Sequence, residues 1–194
     1  MIGDLHYPEG ATPLDPNELG GLKHKHITTQ GELDQLEQAN IESGLRWLGR
    51  QRAHVLTDNF AITLHKRLFG DVWDWAGTFR KTGKNIGIDP IRIPVELRTL
   101  MGDAQYWADN KTYTPSEAAV RLHHRLARIH PFPNGNGRHA RLIADIIAMK
   151  LGRSAFTWGS ANLVKEGEAR TTYREAIRAA DDGDIQPLLN FARS

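Results

Sequence analysis

The chain reads as an all-α helical bundle around a buried central helix, with one small β-hairpin set into it. Three observations carry that expectation. Apolar residues recur at helical spacing over most of the chain. Starts and stops are well marked, as in Thr114-Pro115-Ser116-Glu117, which supplies an N-cap hydroxyl, a proline at the first helical position and a glutamate at the third. The stretch from Asn136 to Leu151 is apolar almost all round (Ala140, Leu142, Ile143, Ile146, Ile147, Met149), a pattern that belongs at the centre of a bundle.

Residues 1–27 are rich in Gly and Pro, show no period, and read as an extended N-terminal arm before a domain over 28–194. Its Lys23-His24-Lys25-His26 run reads as solvated, because two histidines alone rarely hold a metal. From Thr29 to about Arg50 the pattern is helical. With Leu33 at zero and steps of about 100° per residue, Leu36, Ile41, Trp47 and Leu48 share one side, while Glu37, Asn40 and Gly44 lie in the middle of that stripe. A carboxylate on a buried stripe is costly unless paired, so Glu37 needs a cation.

A second helix is expected from Thr57 or Asp58 to Phe69, closed by Gly70. The aromatic run Val72-Trp73-Asp74-Trp75-Ala76-Gly77 belongs in the core. Residues 79–93 carry β-branched and turn residues (Ile86, Ile88, Asp89-Pro90, Ile91, Ile93) and read as a small hairpin. Helix resumes after Pro94 through Leu97 and Leu100 to Trp107. The next helix buries Ala118, Leu122, Leu126 and Ile129 and stops before Pro131. The central helix ends at Gly152, and helices over roughly 161–181 and 185–192 complete the chain.

At 194 residues, with 40% hydrophobic and 25% charged residues, the chain can build one domain with a real core. The absence of cysteine excludes disulfides and thiolate metal sites. A net charge of +2 and a sequence pI near 9.0 are too mild to require a nucleic-acid partner. Arg121, Arg125 and Arg128 form a stripe, and that spacing is the mark of a solvated helix face. There is no apolar run long enough to span a bilayer and no basic, apolar signal-like start, so a cytoplasmic location and no membrane partner are expected.

Chemistry concentrates in His130-Pro131-Phe132-Pro133-Asn134-Gly135-Asn136-Gly137-Arg138-His139-Ala140-Arg141. A helix N-terminus presents unpaired N–H groups and partial positive charge, and so attracts anions. Gly135 and Gly137 let the backbone approach phosphate oxygens, and Arg138 and Arg141 on the first turn can fork onto them. His130, at the mouth of the same loop, has a side chain suited to accepting a proton. Singly each feature is commonplace; their order around one helix start is not.

These residues resemble the signature of the Fic (Fido) family, His-Pro-Phe-x-Asp/Glu-Gly-Asn-Gly-Arg-x-x-Arg. The match covers His130, Pro131, Phe132, Gly135, Asn136, Gly137, Arg138 and Arg141. Leu64 to Gly70 with Trp75 to Arg80, and Tyr173 to Ala176 through Asp184, Pro187-Leu188 and Phe191, are similar to segments flanking that signature. The resemblance spans about 55–194 and is nearest to the short single-domain branch called mobile mystery protein B. It implies a Fic-like bundle and transfer of AMP from ATP to a hydroxyl side chain of a target protein. His130 would be the general base. Asn136 with the backbone of Gly135 and Gly137 would hold the α- and β-phosphates, Arg138 would contact the outer phosphates, and Arg141 would anchor the γ-phosphate. Phe132 would seat the loop in the core, and the hairpin at 82–93 would dock the target by strand addition.

Two positions depart from the family pattern. Asn134 stands where the family has the Asp or Glu that binds Mg²⁺; an amide oxygen can coordinate but brings no charge, so metal affinity should fall. A weaker AMP transferase, an enzyme of altered phosphoryl or nucleotidyl transfer, and a nucleotide binder without catalysis all stay open. Many members also carry an inhibitory helix whose glutamate pairs with the second motif arginine. Helix 29–50 is the candidate, with Glu37 facing inward to meet Arg141, although its flanks Leu33 and Gln38 do not fit the usual motif. A structural ion pair with another base is the competing role for Glu37. Outside the family, a metal hydrolase built on His123, His124, His130 and His139 lacks ligand spacing. A non-catalytic phosphate-binding module is the other alternative.

Overall fold

The computed structural model describes residues 13–51, 54–160 and 166–194. The first twelve residues of the expected arm and the expected helix start at 161–165 lie outside the described residues. Among the described residues the elements are α1 (Pro16–Leu19), α2 (Gln30–Leu48), α3 (Asp58–Phe69), a 3₁₀ turn (Pro90–Arg92), α4 (Ile93–Asn110), α5 (Pro115–Ile129), α6 (Asn136–Lys150), α7 (Glu166–Asp181) and α8 (Gln186–Arg193). The chain is all-α, as its periodicity predicts.

The pair that positions the site is α5 and α6, packed against each other and covered by α3, α4 and α8. α5 starts where Thr114 Oγ1 accepts the Glu117 N–H at 3.3 Å. It ends at His130, whose left-handed backbone (φ 52°, ψ 61°) turns the chain before Pro131. α6 lays Ala140, Ile143, Ala144, Ile147 and Ala148 into the core, while Met149 faces solvent. The central helix is therefore buried on a broad face rather than all round.

The polar residues in the stripe of α2 are there for contact with α3. Gly44 lies so close to α3 that a Cβ would meet the Arg67 carbonyl oxygen at 2.8 Å. Asn40, buried, donates to the Arg67 carbonyl and the Asp71 carboxylate (3.1 Å each) and accepts the Asp71 N–H at 2.8 Å. An α2 register that brings Asn40 and Gly44 to α3 also carries Glu37 inward, and its side chain is mostly covered.

Two expectations change. Residues 13–27 are not an extended arm: Leu14, Leu22 and Ile27 are buried in the core, and Leu22 forms an antiparallel bridge with Trp73. Apolar residues separated by Gly and Pro carry no periodic signal, so tertiary contact alone seats them. Segment 79–93 forms no hairpin either. It is a loop closed by the Pro90–Arg92 turn, in which Asp89 accepts the Ile91 N–H at 3.0 Å. Its β-branched residues split between the body and solvent: Ile93 is buried, whereas Ile86 and Ile91 are exposed. No helix among the described residues is long and apolar enough to cross a membrane.

Candidate active site

Phe132 drives the motif loop into the core, where its ring is fully buried. It stacks on His65 with ring centroids 3.7 Å apart and meets His139 edge-on at 5.1 Å. Asn136 then closes the loop on itself. Its Oδ1 accepts the Phe132 N–H at 2.9 Å and its Nδ2 donates to the Phe132 carbonyl at 2.7 Å. Both ends of that amide are taken up by the loop, so Asn136 offers a ligand its backbone N–H rather than its side chain.

Gly135 adopts φ +76°, and a Cβ there would lie 2.7 Å from the Phe69 ring. Glycine is required twice over, by the left-handed backbone and by the aromatic floor. Above Gly137, by contrast, a Cβ would meet nothing within 4 Å, so the first turn of α6 opens outward. That turn has no preceding carbonyls for its N–H groups and carries the positive end of the helix dipole. Arg138 lies over the Phe69 ring at 4.8 Å, and Arg141 has its Nε 3.4 Å from the Gly137 carbonyl and its guanidinium 5.8 Å from the Tyr173 ring centre. Both motif arginines thus flank one anion-attracting helix end.

His130 sits across the loop from that end, only 6% exposed. Burial pushes its imidazole down to about 4, with the Arg80 charge acting in the same direction, so it is neutral at pH 7 and able to accept a proton. Arg80, itself buried, holds the surrounding backbone. It donates to the carbonyls of His130 (2.6 Å), Ile129 (3.3 Å), Thr82 (2.8 Å) and Ile88 (2.5 Å). Gly87 rests against His130, where a Cβ would come within 2.8 Å of the His130 Cβ. Loop 82–88 therefore covers the histidine.

Glu37 does find a cation, but it is Arg138 at 2.7 Å rather than Arg141. Trp73 Nε1 donates to its other oxygen at 2.8 Å and fixes the carboxylate in place. The glutamate consequently stands at the rim of the arginine pair and engages its outer member.

A family resemblance of this kind brings Mg²⁺ with it, and the residues here fit a protein-held ion poorly. Asn134 contributes a neutral amide whose Oδ1 accepts the Gly135 N–H at 2.6 Å. Among the described residues no three His, Cys, Asp or Glu side chains come together as a metal cluster. The four histidines of the hydrolase alternative are dispersed: His139 bonds the Ala61 carbonyl, His123 meets Tyr173 Oη and His124 meets Asp181. The arginine stripe of α5 is likewise occupied in part, with Arg121 on Glu117 and Arg125 on Asp103.

Sequence reasoning missed His65, Phe69, Arg80 and Lys84. His65 Nε2 bonds the Asn134 carbonyl at 3.0 Å. Lys84, almost wholly buried, bridges Asp15 at 3.1 Å and Glu18 at 2.5 Å. Each meets the motif loop or the N-terminal segment 50 or more residues away in sequence, so no spacing rule could flag it.

The sequence profile of the Fic/DOC family matches residues 55–148, the interval that holds α3, the loop over His130 and the motif. The protein adenylyltransferase Fic of Nematostella vectensis is 28% identical over 166 residues, covering 82% of this chain and 37% of that protein. Its counterpart in Aedes aegypti is 28% identical over 134 residues, 67% of this chain and 26% of that one. The chain spans well under half the length of these two relatives. Among solved structures, Fic-1 of C. elegans superposes with a TM-score of 0.65 at 22% identity, over 95% of this chain and 55% of that one. BepC, a VirB-translocated effector of Bartonella tribocorum, gives 0.71 at 17% identity over 92% and 97%. The profile thus lies on the very loop that the geometry singles out, and over residues 55–148 the chain matches the Fic/DOC family.

Proposed function

We propose that the chain is a protein adenylyltransferase that moves AMP from ATP to a hydroxyl side chain of a target protein. The observation that carries this reading is the open first turn of α6, flanked by Arg138 and Arg141, with the neutral imidazole of His130 at its mouth. The N–H groups of Asn136, Gly137 and Arg138 would take phosphate oxygens, and the two arginines would take the charge of the departing diphosphate. The target oxygen attacks the α-phosphorus, the bond to the β-phosphate oxygen breaks, pyrophosphate leaves, and the hydroxyl proton passes to His130. The target segment would lie along loop 82–93, where Ile86 and Ile91 are exposed and Gly87 rests against the covered histidine.

His130 is nearly enclosed, so catalysis requires loop 82–88 to shift with the target. The Glu37 carboxylate competes with phosphate for Arg138 and would restrain nucleotide binding. Because Asn134 gives no charge to a metal, divalent cation would arrive on the triphosphate and be held weakly by the protein.

ATP labelled at the α or the γ position, incubated with lysate and wild-type protein or His130→Ala, tests the reading. Label from the α position that disappears in His130→Ala is the expected result. Label only from the γ position means phosphoryl transfer. ATP binding with no label from either position supports the second reading, a nucleotide binder without transfer, which Asn134 and its engaged Oδ1 favour.

A further inference from the structure

We infer that His65 is a positioning residue for the nucleotide loop: its Nε2–H, through the Asn134 carbonyl, holds the turn that aims the α6 N–H groups at phosphate. The assignment rests on the nucleotide reading above and goes beyond it in naming what sets the loop's shape.

The tautomer follows from the partners. The Gly77 N–H can only donate, and it points at His65 Nδ1 from 3.0 Å, so Nδ1 is bare. The Asn134 carbonyl can only accept, and it lies 3.0 Å from Nε2, so Nε2 carries the proton. The ring is fully buried. Phe132 stacks on it, and Phe69 and His139 approach at 4.8 and 5.5 Å, which leaves the imidazole one orientation.

The bond falls where the loop is most sensitive. The Asn134 carbonyl belongs to the peptide that enters Gly135, and Gly135 turns left-handed (φ +76°, ψ 0°) to start α6. Rotating that peptide away from His65 would redirect the Gly135 N–H and the helix start after it. Asn134 Oδ1 accepts the N–H of the same peptide from within the turn, and among the described residues His65 supplies the hydrogen bond that ties this peptide to α3, while Asn136 fixes the Phe132 side of the loop. The opposite nitrogen holds Gly77, itself left-handed at φ +79°, at the root of the segment leading to Arg80. One imidazole thus ties the nucleotide loop to the base of the loop that covers His130.

The two nitrogens can be separated by substitution. A glutamine amide reaches about as far as Nε2 and can keep the donor to Asn134, whereas an asparagine amide reaches about as far as Nδ1 and can keep the acceptor for Gly77. Both lose the aromatic stack. ATP dissociation constants and melting temperatures of wild type, His65→Gln and His65→Asn give the test. We expect similar falls in melting temperature, with His65→Gln binding ATP within about threefold of wild type and His65→Asn at least about tenfold more weakly, the loss of one oriented hydrogen bond. Equal ATP affinity in the two variants overturns the assignment and leaves His65 a packing residue. Ring ¹⁵N spectra of the wild type give a check that needs no variant: a proton on Nδ1 instead of Nε2 overturns it too. Wild-type protein that binds no ATP overturns the nucleotide reading itself, a result distinct from either of these.

Discussion

Two loops meet at His130, and they are held by different means. The motif loop at 131–135 is fixed largely by its own neighbours: Asn136 clamps Phe132 four residues back, Phe132 is buried, and Gly135 supplies the turn. Loop 82–88 is held by residues distant in sequence. Arg80 draws it onto the end of α5, and Lys84 and Thr82 tie it to Asp15 and Glu18 of the N-terminal segment. The comparison teaches that the chemistry-bearing loop is clamped mostly from within, with His65 of α3 adding one tie to its turn, whereas its cover is held throughout by distant residues and can be loosened from outside the site.

The largest expected effect lies on the motif side. His130→Ala should lower AMP transfer by about two to four orders of magnitude, as loss of a general base does, with the melting temperature little changed. Transfer that persists at the wild-type rate would remove His130 from the reaction.

Acid should break the motif side next. Burial holds His123 at about 3, His130 and His139 at about 4, and His65 well below the ordinary histidine value of 6.5. The folded state keeps these rings neutral while the unfolded chain protonates them below 6.5, so their contribution is fully present above that pH. It is lost as pH falls through about 4, at about 1 kcal/mol or more per histidine by pH 5. Urea titrations at pH 7.5, 6.5 and 5.5 should show stability falling with acid; a flat profile would contradict the buried neutral histidines.

Asn136→Ala should cost about 2 to 3 kcal/mol, because it leaves the buried Phe132 N–H and carbonyl without partners. The same denaturation measurement reads it, and a change below 0.5 kcal/mol would mean that the loop is not self-clamped.

On the cover side, Lys84→Met should cost about 2 kcal/mol in global stability, since Asp15 is half exposed and can be rehydrated but the mostly covered Glu18 carboxylate loses its cation. Amide exchange within 82–88 should accelerate while that of α6 does not. Equal acceleration in both would show that the two loops are one unit. The smallest effect expected is for Glu37→Gly. Freeing Arg138 should strengthen ATP binding a few-fold, about 0.5 to 1 kcal/mol for a partly exposed pair, read by calorimetry. Unchanged affinity assigns Glu37 a structural role.

Much of this was legible in the residues themselves, for the reason the two loops illustrate. Helix boundaries at Thr57, Thr114, His130 and Gly135 depend on caps, prolines and glycines within four residues, and the anion-attracting end of α6 needs only its order along the chain. The inward facing of Glu37 was legible too, since helical periodicity sets direction. Its partner was not: Arg138 and Arg141 are three residues apart, and the relative placement of α2 and α6 decides which one it meets. The supposed hairpin failed because β-branched composition does not supply a pairing partner, and Arg80 satisfies carbonyls of that segment instead.

The sequence by itself thus determined an all-α chain with a phosphate-type loop between two helices, because those features follow from contacts a few residues long. Tertiary structure alone decided that His65 holds the Asn134 peptide, that Arg80 lowers a cover over His130, and that residues 13–27 secure that cover through Lys84. Each of these joins groups dozens of residues apart, the first two through backbone carbonyls that every residue type presents alike and the third through carboxylates that no sequence spacing links to the lysine, so only packing could select them.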